Sequence, residues 1–255
     1  MKEVKGLAGI YFKSSDPERL KDWYKTNLGI TGIFKWRSVD GNVDSFTLWN
    51  VLPESAAVFN GTKKDYVISY WVADLGSFLE EIKDEGIQAG RIESDEIGKF
   101  SSISDPEGNK VILRESNISE TKVGTSPLNK VTGLGGVFFK SADPKKLNPW
   151  YGKHLGLDVT EWGCNLLWHD PNNANEKSPA MTVWNPFAAD TTYFNPSKSD
   201  FMFNYRVLNL VELLKKLEAS GVPLAGDMQE FSYGKFGWIV DPDGNKIELW
   251  ESIDD

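Results

Sequence analysis

The sequence is poor in the side chains that most often hold metals: its 255 residues include two histidines, His154 and His169, and one cysteine, Cys164. A lone cysteine excludes an intramolecular disulfide and a thiolate cluster. Zinc fingers and two-histidine-one-carboxylate iron sites need more histidine than this chain brings together. Cys164, in Gly163-Cys164-Asn165, reads as a packed or surface thiol. His154 reads as a solvated residue near a helix end, where the dipole favours it. His169 reads as an exposed residue at the edge of a polar loop. Positive charge is short as well, with a formal net charge of −9. No Lys/Arg cluster offers the basic footprint that nucleic acid or an anionic membrane surface requires. No apolar run has the length of a signal core or a membrane span, so the expected location is cytoplasmic. Gly-rich phosphate loops and Ser-His-Asp arrangements are missing too.

What the chain has is a duplicated pattern. Val4-Lys5-Gly6-Leu7-Ala8-Gly9-Ile10-Tyr11-Phe12-Lys13-Ser14-Ser15-Asp16-Pro17 returns as Val131-Thr132-Gly133-Leu134-Gly135-Gly136-Val137-Phe138-Phe139-Lys140-Ser141-Ala142-Asp143-Pro144. Trp23-Tyr24, Phe46-Thr47-Leu48-Trp49-Asn50 and Asp105-Pro106-Glu107-Gly108-Asn109-Lys110 return in the same order as Trp150-Tyr151, Met181-Thr182-Val183-Trp184-Asn185 and Asp241-Pro242-Asp243-Gly244-Asn245-Lys246. Such order marks an internal repeat. The expected organisation is one module over 1–116, a Ser/Thr/Gly/Pro-rich linker over 117–128 and a second module over 129–255. The second copy carries extra residues in a polar loop around 172–177.

Local signals set the elements. Asp16-Pro17 and Asp143-Pro144 predict helix starts, with the aspartate as cap and proline at the first helical position. Gly29 and Gly156 predict left-handed stops. Leu75, Phe78, Leu79 and Ile82, and Leu210, Leu213, Leu214 and Leu217, recur at helical spacing. Alternating segments ending in Asp-Pro-x-Gly predict hairpins. Two βαβββ units per copy fit this rhythm.

The helix carrying Trp-Tyr and ending in Leu-Gly, and above all the closing segment Asp241-Pro242-Asp243-Gly244-Asn245-Lys246-Ile247-Glu248-Leu249-Trp250-Glu251, resemble the vicinal-oxygen-chelate superfamily of glyoxalases, bleomycin-resistance proteins and extradiol dioxygenases. The resemblance spans essentially the whole chain, once per copy. It implies an α+β fold in which paired βαβββ units form a cup-shaped mixed sheet with helices outside, the two copies packed as an internal pseudo-dimer. It also implies a divalent metal held by His, Glu or Gln from the first, fourth, fifth and eighth strands. Glu248 stands at the last of these positions, and its counterpart in the first copy is Ile112. The first-strand positions are Gly9 and Gly136, the fifth-strand positions fall near Val67 and Met202, and the fourth-strand segments hold no His, Asp or Glu. One retained ligand position does not hold an ion, so no cofactor is expected, with a divalent metal left open.

Strand alternation turns Lys246, Glu248 and Trp250 toward the second cup, and sets Asn204 and Arg206 on the face of Met202. Ten tryptophans suggest an aromatic-walled pocket, with Trp168, Trp184, Trp238 and Trp250 as candidates and core packing as the alternative for each. Trp23 and Trp150 are expected at the helix–sheet interface. The candidate ligand-binding set is Glu248, Arg206, Asn204, Trp184, Trp250 and Phe138, with Glu248, Arg206 and Lys140 meeting in the second cup or forming an ordinary salt bridge. The matching Ile112, Trp71 and Lys13 make the first cup structural. The leading expectation is a metal-independent binder of a small, partly aromatic or apolar molecule. An atypical glyoxalase-type lyase or isomerase with Glu248 as general base or lone metal ligand, and a closed structural or partner-binding scaffold, stand as alternatives. No nucleic-acid or membrane partner is expected, and the chain is read as a monomer with an internal pseudo-dimer or as a homodimer.

Overall fold

The computed structural model describes residues 3–41, 44–117, 131–171 and 178–253. The linker beyond residue 117 and the loop 172–177 lie outside the described residues. The first copy runs β1 (Val4–Ser14), α1 (Pro17–Leu28), β2 (Ile33–Arg37), β3 (Asp44–Pro53), a single 3-10 turn (Ala57–Phe59), β4 (Tyr66–Val72), α2 (Leu75–Asp84), β5 (Glu93–Ser94), β6 (Gly98–Ser104) and β7 (Lys110–Ser116). The second runs β8 (Val131–Ser141), α3 (Pro144–Leu155), β9 (Cys164–Trp168), β10 (Ala180–Ala188), β11 (Phe201–Val207), α4 (Leu210–Ala219), β12 (Gln229–Phe231), β13 (Gly234–Val240) and β14 (Lys246–Ser252).

Each copy forms a mixed seven-stranded sheet of the same order, β2-β3-β1-β4-β7-β6-β5 and β9-β10-β8-β11-β14-β13-β12. Within each, β1 runs parallel to β3 and antiparallel to β4, as β8 does to β10 and β11. The fold is α+β with two open mixed sheets. Its first unit in each copy departs from the expected pattern, with two strands after the helix; in the first copy the 3-10 turn follows them.

The helix signals act where the sequence places them. Asp16 and Asp143 accept hydrogen bonds from the backbone N–H of Arg19 and Lys146, and Gly29 and Gly156 close the helices in the left-handed region at φ 75° and 70°. Asp74 and Asn209 cap α2 and α4 in the same way.

The helix-bearing faces of the two sheets share one apolar core. Phe12 on β1 packs 5.6 and 5.3 Å from Phe201 and Phe203 on β11. The repeated Asp-Pro-x-Gly-Asn turns clamp this interface. Asp105 holds its own turn by accepting from Asn109, and also accepts from the Tyr151 hydroxyl of the other copy at 3.0 Å. Asp241 does the same with Asn245 and Tyr24, again at 3.0 Å. Burial pushes both aspartate pKa values up, and their hydrogen-bond donors work against that shift.

Three further positions refine the sequence reading. His154 is buried rather than solvated, because its Nδ1 meets the Glu85 carboxylate of the first copy at 2.5 Å across the interface. His169 pairs its backbone with Arg37, its counterpart in the repeat, through two 2.8 Å hydrogen bonds. Cys164 is buried on β9, and burial pushes its thiol up to about 12. Trp23 and Trp150 are half-buried against the shared core.

Candidate functional site

The face of the second sheet turned away from the shared core holds a cavity of about 540 Å³. Its position follows from strand alternation. On β14, Ile247 and Leu249 enter the shared core, while Glu248 and Trp250 face the cavity. On β11, Phe203 and Tyr205 enter the core, and Asn204 faces the cavity. β11 and β14 run parallel in a register that pairs Asn204 with Glu248, and antiparallel β13 places Trp238 on the other side of Glu248.

Glu248 is 2% exposed, and three donors converge on its carboxylate. Asn204 Nδ2 donates to Oε1 at 2.6 Å, Trp238 Nε1 donates to Oε2 at 2.8 Å, and the Tyr193 hydroxyl also donates to Oε2. Burial raises the Glu248 pKa, and its three donors and the Lys246 charge oppose that rise. Burial and the Glu248 charge push the Tyr193 hydroxyl up, which keeps it a donor. The remaining wall is mostly aromatic: Phe138, Phe236, Trp238 and Trp250, with Phe231 and Tyr233 at the exposed rim. Phe236 and Trp250 stack nearly parallel, as do Phe231 and Tyr233, at 5.8 and 5.4 Å between centroids.

Of the sequence-named residues, the structure brings Glu248, Asn204, Trp250 and Phe138 to this cavity. Trp184 is a correction. It is fully buried on the opposite face of β10, edge-on to Phe139 and 4.6 Å from Tyr151, while Met181 and Val183 face the cavity. Both faces of β10 are largely apolar, so its composition does not fix its phase. Arg206 and Lys140 are not part of the cavity wall, which corrects the expected meeting with Glu248 inside the cup. The Arg206 guanidinium lies over the Trp250 ring at 4.8 Å, and the Lys140 ammonium over Phe194 at 5.8 Å. Register shifts in the β8–β11 pairing at Asn204/Tyr205 and Arg206/Val207 interrupt the simple alternation there. Trp168 joins a separate cluster with Trp36 and Trp71. Tyr193, Phe231, Tyr233 and Phe236 were not legible as site residues. Tyr193 precedes β11 in an irregular segment without periodicity.

The donor set does not fit the divalent metal that the resemblance implies. The N–H groups of Asn204 and Trp238 point at the carboxylate where a cation would compete. At the first-strand position, a Cβ on Gly136 would lie 2.6 Å from the Phe138 ring and 3.0 Å from Asn204 Cβ, so the site has no room for a ligating side chain there. Among the described residues, no three His, Cys, Asp or Glu side chains come together as a metal-ligand group.

In the first cup, Tyr11, Phe59, Val67 and Ile112 pack into one cluster, with Leu48, Leu52 and Phe100 against them.

No family model and no curated protein matches this sequence. Solved structures do share its fold. The 2,3-dioxygenase LapB from Pseudomonas sp. KL28 matches 99% of this chain and 93% of its own, with 13% identity and a TM-score of 0.61. The Mn(II)-bound glyoxalase from Novosphingobium aromaticivorans matches over 98% and 83%, with 11% identity and a TM-score of 0.61. The 2,2',3-trihydroxybiphenyl 1,2-dioxygenase from Sphingomonas wittichii strain RW1 matches over 100% and 92%, with 13% identity and a TM-score of 0.60.

Proposed function

From the vicinal-oxygen-chelate fold that this chain shares with those enzymes, we propose that it binds a small, partly aromatic or apolar molecule in the cup of its second copy, without a metal such as the Mn(II) of the glyoxalase neighbour. The supporting observation is the cavity itself, about 540 Å³, in which one buried carboxylate stands among aromatic walls. Its volume lies in the usual range for small-molecule sites, as does the pairing of apolar walls with a few fixed polar groups. A ligand that fits raises the unfolding temperature of the wild-type protein in a thermal-shift screen and changes its tryptophan fluorescence. Both responses are lost in Glu248→Ala and Trp250→Ala; unchanged affinity in both variants rejects the reading.

A second reading is catalytic. The Glu248 carboxyl faces the cavity, and burial raises its pKa toward the range a general base uses. In that reading Glu248 takes a proton from a bound substrate in a lyase or isomerase reaction, with Tyr193 hydrogen-bonded to the same carboxylate. Its test is a ligand from the screen that is turned over by wild type and bound but not turned over by Glu248→Gln. Binding without chemical change in the wild type leaves the binder.

A further inference from the structure

Within the binding reading, the chemistry of the second cup says more about the ligand. Among the described residues, Glu248 is the one charged side chain in the cavity wall. A carboxylate offers about four lone-pair sites, and Tyr193, Asn204 and Trp238 use three. Aromatic rings line much of the same wall, and ring faces attract cations most strongly where water is excluded.

Lys246, whose charge also acts on the carboxylate, makes its own hydrogen bond elsewhere. Lys246 donates to the Tyr193 carbonyl at 2.8 Å, with its ammonium 5.2 Å from the Tyr193 and Trp238 ring centroids, and it is not part of the wall. Its counterpart Lys110 makes the same kind of bond, to the Asn60 carbonyl at 3.0 Å, in a cup whose equivalent of Glu248 is Ile112. The lysine therefore ties down the chain segment before β4 or β11 in both copies, with or without a carboxylate beside it. Arg206 is likewise engaged with Trp250 outside the wall.

We infer that the second cup selects an organic cation, a protonated amine on an aromatic or arylalkyl body, whose N–H donates to Glu248 while its charge lies against the surrounding rings. This inference rests on the binding reading and adds the sign of the ligand's charge. A carboxylate ligand meets the Glu248 charge, with no guanidinium or ammonium among the described wall residues to receive it.

The test uses three probes of similar shape on the wild-type protein at neutral pH: phenethylammonium, phenethyl alcohol and phenylpropionate, followed by calorimetry and tryptophan fluorescence. The ammonium is expected to bind at least about tenfold more tightly than the alcohol, with the carboxylate weakest. In Glu248→Gln the preference for ammonium over alcohol falls to roughly threefold or less. Alcohol binding as tight as ammonium, or carboxylate binding tightest, overturns the charge assignment and leaves the cup reading standing. No response to any of the three probes overturns both.

Discussion

At the positions where the second cup carries Glu248, Asn204, Trp238 and Tyr193, the first carries Ile112, Ser69, Ser102 and Val58. The strand registers are the same in the two copies. Asn204 pairs with Glu248 and Trp238 with Glu248, just as Ser69 pairs with Ile112 and Ser102 with Ile112. The backbone register therefore does not account for the difference. Where the second cup has a polar anchor, the first has an apolar cluster of Tyr11, Phe59, Val67 and Ile112. Duplication lets one copy keep the polar cluster while the other supports it across a shared core. A buried carboxylate is tolerable only where donors satisfy it, and the second cup supplies three.

The sharpest way to break this comparison is to exchange the residues. Ile112→Glu places a carboxylate against Tyr11, Phe59 and Val67, with the short Ser69 and Ser102 side chains at the positions of Asn204 and Trp238, and is expected to cost about 3–5 kcal/mol in chemical denaturation. The reverse change, Glu248→Ile, strands the Tyr193, Asn204 and Trp238 donors beside a cavity that water can enter, and is expected to cost about 1–3 kcal/mol. A negligible cost for Ile112→Glu would mean that the first cup is not closed.

The clamps test whether the copies are energetically equivalent where their geometry is. Tyr24→Phe and Tyr151→Phe each remove one hydrogen bond to a buried aspartate, and each is expected to cost about 1.5–3 kcal/mol. Near-equal losses support a symmetric interface, and a loss confined to one variant rejects it. The pH dependence follows from the raised pKa values of Asp105 and Asp241. The folded state binds these protons more tightly than the unfolded chain. Their contribution is therefore fully present below the ordinary aspartate pKa and is lost as pH rises through the folded pKa. Denaturation across that window should show wild type losing stability relative to Asp241→Asn as pH rises. A constant difference would contradict this.

How much of this was legible depended on range. Caps, turns and the repeat are local, and the sequence shows them directly: Asp16-Pro17 and Asp143-Pro144 start helices in the structure, and Gly29 and Gly156 end them. Glu248 and Asn204 could be placed because a polar residue in an otherwise apolar strand reveals which face is wet. Trp184 could not, because β10 is apolar on both sides and its buried Thr182 faces the core, bonded to the Leu134 carbonyl and Trp168. The clamps were invisible as such, since the Asp-Pro-x-Gly-Asn turn looks the same whether or not a tyrosine from another module reaches it. Tyr193 reaches Glu248 across 55 residues of sequence, a distance at which no periodicity carries information.

The phase of β10 gives a smaller test that separates packing from binding. Trp184→Phe shortens a side chain in the shared core and is expected to cost about 1–2 kcal/mol while leaving probe binding unchanged. Trp250→Phe should weaken probe binding, because that ring forms the cavity wall. If Trp184→Phe changed affinity while Trp250→Phe did not, the assignment of the two faces would be reversed.

The least effect on stability is expected at the rim, where the two cups also differ. Where the first copy has Asp95, which accepts from Arg114 at 2.8 Å, and Ile97, the second has Phe231 and a 56% exposed Tyr233 stacked on it. Exposed rings at the end of an edge strand contribute little to folding, so Tyr233→Ser should change stability by no more than about 0.5 kcal/mol. If the rim closes over the ligand, the same substitution lowers probe affinity several-fold, and it does so for the neutral and charged probes with different weight because only the cation gains from the ring face. A variant with unchanged stability and unchanged binding would confine the ligand to the floor of the cup, around Glu248 and Trp238. The aromatic rim would then belong to some other contact of the exposed β12 edge.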